Sequence, residues 1–351
     1  MEVRNGVRAI FHSDSPIPTY GIGPALINGE YAQGEIPVAI ASNETTLIPS
    51  IGRGLKVTRL AGGIETHVLK DEMTRAPLIT AKSEKDADDI WSYLTRNKEE
   101  VERVVNATTG YGHFTSMDIH QEHMWLYVRL GMFCGDAAGH NMTTKAGDAL
   151  ISHLVDKFGD KIEYTASSSN YCTDKKPAEI NKKKGRGKSV KAEILIPEAI
   201  VEARLHTTAE AIANLNGSKN WLGSGIAGSI GRNAHHANVV AAIYLATGQD
   251  IANVVEGSLG DTEAENRNGD LYFAVDMPAI IVGTVGGGTK QQYARRHLEA
   301  MGCFGPGDPS GSHAKKLAEI VAATTLAGEL SLMAALTKQG EHMRAHNRFE
   351  R

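Results

Sequence analysis

Apolar positions along this chain change period several times, and each change predicts an element. Between Asp86 and Val105 they fall at Ile90, Trp91, Leu94, Val101, Val104 and Val105, the stripe of one amphipathic helix. Met124–Leu130, rich in aromatic and β-branched residues, predicts a strand. Helical spacing returns over residues 135–158 through Ala149, Leu150, Leu154 and Val155, and Lys161–Thr165 predicts another short strand. Val190, Ala192, Ile194 and Ile196 alternate as a half-buried strand. A helix starting at or beside Pro197 then carries Ile200, Leu205, Ala209, Ile212 and Leu215. Gly223–Gly248 is built largely of Gly, Ala, Ser, Val and Ile, which predicts a buried helix closely approached by its neighbours. Leu271–Val275 and Ala279–Val285 predict strands, and Tyr293–Met301 and Ala314–Leu336 predict helices. The first 25 residues, with Pro16, Pro18, Gly21, Gly23 and Pro24, read as an irregular arm with little core, and Cys172–Lys188 reads as a basic loop.

Helix and strand patterns interleaved in this way imply an α+β fold. At 351 residues, 41% of them hydrophobic, the chain is long enough for two domains, or for one domain carrying an insertion over the middle block. A net charge of -4 gives no reason to expect nucleic acid or an anionic membrane as partner, so any anionic ligand must be held by local groups. Cys134, Cys172 and Cys303 are odd in number and far apart, which suits a reducing compartment and predicts a cytoplasmic protein without disulfides. The charged N-terminal stretch lacks the apolar core of a secretion signal, and no eighteen apolar residues run together, so a membrane span is not expected.

Four features carry candidate chemistry. Gly223, Gly225 and Gly228 satisfy G-x-G-x-x-G with Asp250 downstream, but the preceding residues have helical spacing, so close helix packing is preferred to a dinucleotide-binding turn. Gly286, Gly287 and Gly288 in VGTVGGGT follow an apolar strand and offer free N–H groups to phosphate. The string GDAAGHNM, residues 135–142, opens a helix with residues small enough for a ligand to approach the backbone. Asp174, Lys175 and Lys176, just after Ser167, Ser168, Ser169 and Asn170, combine an acid, ammonium groups and hydroxyls, a composition suited to holding a carboxylate and an oxyanion together.

These strings and others occur in one order: NETTLIPSIGRG, EMTRAP, GDAAGHNM, NYCTDKKPAEIN, GSGIAGSIG, NAHHANVV, GQD, VGTVGGGT and HMRAHNR. In that order, from Glu35 to Arg348, the chain resembles class I 3-hydroxy-3-methylglutaryl-CoA reductases, in a form without the membrane anchor of the animal enzymes. The resemblance implies a large helix-rich domain (26–76 and 167–351) with a central buried helix. Inserted in it would be a small ferredoxin-like cofactor domain (77–166), with an arm at 1–25. It implies four-electron reduction of hydroxymethylglutaryl-CoA to mevalonate and CoA with two NADPH or NADH, no metal, and a homodimer or multiple of dimers sharing active sites. Alternatives are a paralogue reducing another acyl-CoA and a non-catalytic CoA- or nucleotide-binding protein.

Residue by residue, the resemblance implies Glu44, Lys175, Asp250 and His342 as catalytic groups, with Asp250 between the lysine and the glutamate. It implies Arg75, Ser168, Asp174, Lys176 and Lys219 around the substrate, and Asn238 steadying the lysine. Ser50 and Arg53 would meet CoA, and Asp136, Ala138, Gly139, Asn141, Lys145, Gly286, Gly287 and Gly288 the cofactor. Several positions depart from the family pattern. HMRAHNR holds one extra residue, so His346 competes with His342 as donor to the thiolate; on a helix the insertion rotates one of them by about 100°. The arginine pair that meets a 2′-phosphate aligns with TTGYGHFT, which offers Tyr111 and His113, and the second methionine of the cofactor motif is His140.

Overall fold

The computed structural model describes residues 3–4, 7–8 and 16–349, with side chains from residue 16 onward except those of 342, 345, 346 and 349. Its spine is a sheet in which Ile64–Arg75 belongs to two halves. The first part of this strand pairs antiparallel with Gly187–Ile196, which pairs with Asp270–Ile280 and then Asp261–Arg267. Its last residues, Met73–Arg75, pair with Trp125–Phe133.

Leu78–Ala81 lies between Trp125–Phe133 and Ile162–Ala166, while His113–Glu122 flanks Trp125–Phe133 on its other side. Helices Glu84–Arg96 and Lys98–Asn106 follow the first of these four strands and His140–Phe158 follows the third, a βαββαβ succession. Two apolar clusters match the two halves. The smaller gathers Ile79, Ile90, Leu94, Val105, Leu126 and Leu150; the larger lies on the other half of the sheet.

The long helix Ser312–Leu336 runs through the larger cluster. It is long and apolar enough to cross a membrane, but it is almost wholly buried inside the protein, so its apolar surface is consumed by core packing. Glycine lets its neighbours come close: a Cβ at Gly54, on helix Leu47–Leu60, would overlap the Ala327 carbonyl. Its buried Glu319 accepts hydrogen bonds from the N–H groups of Glu30, Tyr31 and Ala32 and so ties down the turn between strands Thr19–Gly29 and Gln33–Ala41.

The α+β reading holds, with several corrections. Residues 19–25 are not an irregular arm but the start of a strand, and Ala25 is fully buried; the proline and glycine content there hides its antiparallel pairing with the next strand, Gln33–Ala41. The single helix expected over 86–105 is two, broken at Asn97, whose side chain bonds back to the Tyr93 carbonyl at 2.8 Å. Trp91 lies outside the buried stripe. Of Gly223–Gly248 only His236–Thr247 is a buried helix; Ile226 is 81% exposed, and the G-x-G-x-x-G residues follow a π-helical turn, not a strand. The two strands expected over 271–285 are one, Asp270–Ile280, with a register shift near Pro278, and residues 281–285 leave the sheet.

Candidate active site

Two cavities hold most of the predicted residues, and they share no lining residue. The first, about 600 Å³, is walled by Arg75, Asp174, Lys175 and Asp250, by residues 137–142, and by Ile281, Gly283 and residues 285–289. Lys175 Nζ lies 2.8 Å from Asp250 Oδ2. The hydrogen bond that Lys175 donates to Asp250 raises the lysine pKa above its ordinary value despite some desolvation. Burial pushes Asp250 upward, but Lys175 and the Ala252 N–H outweigh it and leave the carboxyl below its ordinary value. Both partners are therefore charged at neutral pH.

The loop presenting Lys175 is unusual in its backbone. Asn170, Thr173 and Lys175 have φ of 65°, 58° and 58°, the left-handed region, which costs about 1 kcal/mol or more for each non-glycine residue. A buried strut holds it there. The Glu256 carboxylate, fully buried, accepts from the Lys175 backbone N–H at 2.6 Å and from Arg186 Nη1 at 2.9 Å. Arg186, also fully buried, places Nη2 3.0 Å from Asp174 Oδ1. Burial raises the Glu256 pKa against these donors. Neither strut residue is expected from the sequence: Arg186 stands within an apparently basic loop, though Glu256 among apolar neighbours in ANVVEGS is a usable signal of a buried partner.

The same cavity offers a cradle for an anionic cofactor. Helix His140–Phe158 points its N-terminus into the wall, and its N-cap, Gly139 at φ 96°, supplies no side-chain cap, so first-turn N–H groups face the space. Gly286 and Gly287 have positive φ and nothing within 4 Å of where a Cβ would stand, leaving their cavity side open. Ala138, Gly139 and Asn141 share this wall.

Asp136 does not line it. It is buried and accepts from the N–H groups of Gly307, Gly311 and Ala314, each at 2.9 Å, securing the loop that leads into helix Ser312–Leu336. Lys145 donates to the Thr108 carbonyl at 2.8 Å.

The second cavity, about 580 Å³, holds Glu44, Ser50, Arg53, His235, Asn238 and Ser331. Glu44 stands just before helix Leu47–Leu60 and accepts from Asn238 Nδ2 at 2.8 Å. Within one chain Asn238 thus meets the glutamate, while Lys175 and Asp250 line the other cavity. Ser50 bonds Ser331 at 3.1 Å, and Arg53 is held by Ser331 at 3.0 Å and Glu341 at 3.1 Å.

Other expected residues stand apart from both walls. Lys219 sits in the turn Asn216–Gly223 and donates to Asn220, Ser168 contacts the Cys172 sulfur at 3.7 Å, and Lys176 bonds the Asp174 carbonyl at 3.3 Å. His342 and His346 fall on helix Glu341–Phe349, but their side chains lie outside the described residues.

Beside the second cavity, His236 is fully buried against Thr262 and Glu329. Burial pushes its pKa down to about 4 from an ordinary 6.5. Above pH 6.5 it is neutral folded or unfolded; below, the unfolded chain binds a proton that the folded chain refuses until about pH 4. Stability therefore falls as pH drops through this window, by on the order of 3 kcal/mol. Thermal melts of the wild type and His236→Gln between pH 4 and 6.5 check this: the variant should show a shallower slope.

Set against known proteins, residues 11–351 match the family model described as hydroxymethylglutaryl-coenzyme A reductase. The 3-hydroxy-3-methylglutaryl-coenzyme A reductase of Pyrococcus horikoshii is 45% identical over 338 residues, covering 95% of this chain and 81% of that one. The enzyme of the same name from Methanothermobacter thermautotrophicus is 44% identical over 336 residues, covering 95% and 83%. Among solved structures, the class II reductase of Streptococcus pneumoniae bound to NADPH in open conformations aligns at TM-score 0.71 with 19% identity, covering 93% of this chain and 86% of that one. A second structure of the Streptococcus pneumoniae reductase gives 0.72 with 20%, at the same coverages; at such identities the likeness concerns the fold. With the motif residues gathered on two cavity walls and the family match running from residue 11 to the last residue, this chain belongs to the hydroxymethylglutaryl-coenzyme A reductase family.

Proposed function

We propose that this chain is a class I hydroxymethylglutaryl-CoA reductase, reducing its substrate to mevalonate and CoA through a hemithioacetal and mevaldehyde, in the mevalonate pathway. One observation carries the reading: the Lys175–Asp250 pair, 2.8 Å apart, faces a cavity whose other wall is the glycine-rich, uncapped-helix cradle. Class I is supported by the TDKKP loop that delivers Lys175, and by an identity of only 19% to the class II structure. The βαββαβ succession and its separate apolar cluster support reading 77–166 as the inserted ferredoxin-like cofactor domain. Three buried free thiols support a cytoplasmic site of action.

A bound reduced nicotinamide supplies a hydride for each reduction. The protein manages charge and protons. Lys175 places a cation where the carbonyl oxygen becomes negative, and Asp250 keeps that cation charged and aimed. Asp174 and Arg75 orient the glutaryl portion. Glu44, held by Asn238, serves as proton donor. Since Glu44 and Lys175 line different cavities of one chain, the complete site unites Glu44 of one subunit with Lys175 of another. Exposed Trp221, Leu222 and Ile226, within one short stretch, supply apolar surface for such a dimer. His342 is the proposed donor to the departing thiolate, since imidazole is a side chain able to give up a proton around neutral pH.

The turn expected to meet a 2′-phosphate carries no arginine, and Lys145, bonded to Thr108, stands beside it. Discrimination between NADPH and NADH is accordingly weak, within about tenfold in kcat/KM. Absorbance loss with hydroxymethylglutaryl-CoA, run with each cofactor, tests both statements. Two cofactors oxidised per substrate support the reaction, no oxidation with either refutes it, and a strong NADPH preference surviving Lys145→Ala refutes the cofactor assignment.

A further inference from the structure

The loop that delivers Lys175 is held at three places. Its tip is fixed by Glu256, which takes the Lys175 main-chain N–H, and by Arg186, which faces Asp174. Its two ends are fixed elsewhere, on strands of the four-stranded half of the sheet. At the start, Tyr171 Oη donates to Asp118 Oδ2 at 2.9 Å, and the tyrosine ring lies against those of His120 and Tyr127, with centroids 6.1 and 6.4 Å away. At the close, Lys184 Nζ pairs with the same Asp118 oxygen, and the buried Arg129 donates from Nη2 to the Gly185 carbonyl at 2.8 Å.

Asp118 and Arg129 stand directly opposite each other where His113–Glu122 pairs with Trp125–Phe133. Their neighbours Met117, Ile119, Val128 and Leu130 belong to the smaller apolar cluster, so alternation puts the acid and the arginine on the other face of the sheet, where the loop lies. Burial pushes the Asp118 carboxyl upward, but Lys184 and Tyr171 outweigh it and hold the group below its ordinary value, so at neutral pH it is a charged acceptor for both ends of the loop. Fixing both ends restricts a loop that must also keep Asn170, Thr173 and Lys175 left-handed. The same strand begins at His113, in the turn TTGYGHFT expected to meet the cofactor. Asp118 itself lines neither cavity.

We infer that Asp118 is a positioning residue: by taking both ends of the loop onto the strand that leads from the cofactor turn, it sets where the Lys175 ammonium stands relative to the hydride donor. This rests on the reductase reading, in which Lys175 meets the developing oxyanion. A displacement of about 1 Å at such a group is enough to lower a rate up to about a hundredfold.

The test compares the wild type, Asp118→Ala, Asp118→Asn, Tyr171→Phe and the double variant Asp118→Ala/Tyr171→Phe by kcat, by KM for hydroxymethylglutaryl-CoA and for the nicotinamide, and by thermal melting. Asp118→Ala should lower kcat about tenfold. The nicotinamide KM and the melting temperature should hardly move, because the Asp118 side chain is 38% exposed and its ion pair contributes little to stability. Asp118→Asn, which keeps an acceptor for Tyr171, and Tyr171→Phe should each lose about threefold. The double variant should be no slower than Asp118→Ala, since both changes act through one contact. Wild-type kcat in a folded Asp118→Ala, a loss confined to either KM, or losses that multiply in the double variant overturns the inference and leaves the reductase reading intact. If Asp118→Ala does not fold, Asp118→Asn and Tyr171→Phe decide, and wild-type kcat in both overturns it. Absence of turnover by the wild type with either nicotinamide overturns the reductase reading instead.

Discussion

Lys175→Met is expected to lower kcat at least about a thousandfold while leaving the protein folded. Methionine matches the length of the side chain but brings no charge, so the developing oxyanion loses its cation and Asp250 is left as an uncompensated carboxylate at the reacting centre. The pair is about 40% exposed, 41% and 42% for the two side chains, so global stability should hardly change. The backbone strut also survives, because Glu256 grips the Lys175 main-chain N–H rather than its side chain. Steady-state kinetics with a parallel thermal melt checks this. A variant retaining a tenth of wild-type turnover would remove Lys175 from the chemistry, and a collapsed melt would reassign it to folding.

Mixing two dead variants should restore activity. Glu44→Gln and Lys175→Met are each expected to be inactive alone, since each spoils every site. When subunits exchange in equal proportion, half of the dimers pair one variant with the other, and each of these holds one intact site built from the unmutated Glu44 and Lys175. About one quarter of wild-type activity should therefore return. The separation of the two residues on different cavity walls of a single chain motivates this expectation. Mixtures that stay inactive after exchange, confirmed by mass measurement of the mixed dimer, would mean that each site is completed within one subunit. The separation would then close by a movement within the chain.

Much is legible in the residues alone because local pattern and local chemistry coincide. The half-buried alternation at Val190–Ile196 forms the strand Gly187–Ile196, where a period of two sets the face, and the apolar run Ala314–Leu336 forms the central helix Ser312–Leu336, apolar enough to be buried on all sides. The strings carrying Lys175, Asp250 and the glycine cradle also come together in one cavity, as their shared resemblance implies. Tertiary structure decides what depends on distant partners. Strand Thr19–Gly29 exists because Gln33–Ala41 and Ile64–Arg75 pair with it, against its own proline and glycine content. Asp136 reads as a ligand-facing acid in GDAAGHNM, yet the N–H groups of a loop some 170 residues away claim it. Asn238 meets Glu44, 194 residues away, within one chain, and the strut of Glu256 and Arg186 that holds Lys175 left-handed joins residues 70 apart in sequence. Residue type and periodicity state which groups a segment offers and which face it buries. Which buried donor meets which acceptor is settled only when the strands pair, because desolvation leaves each polar group no alternative but the partner the fold brings to it.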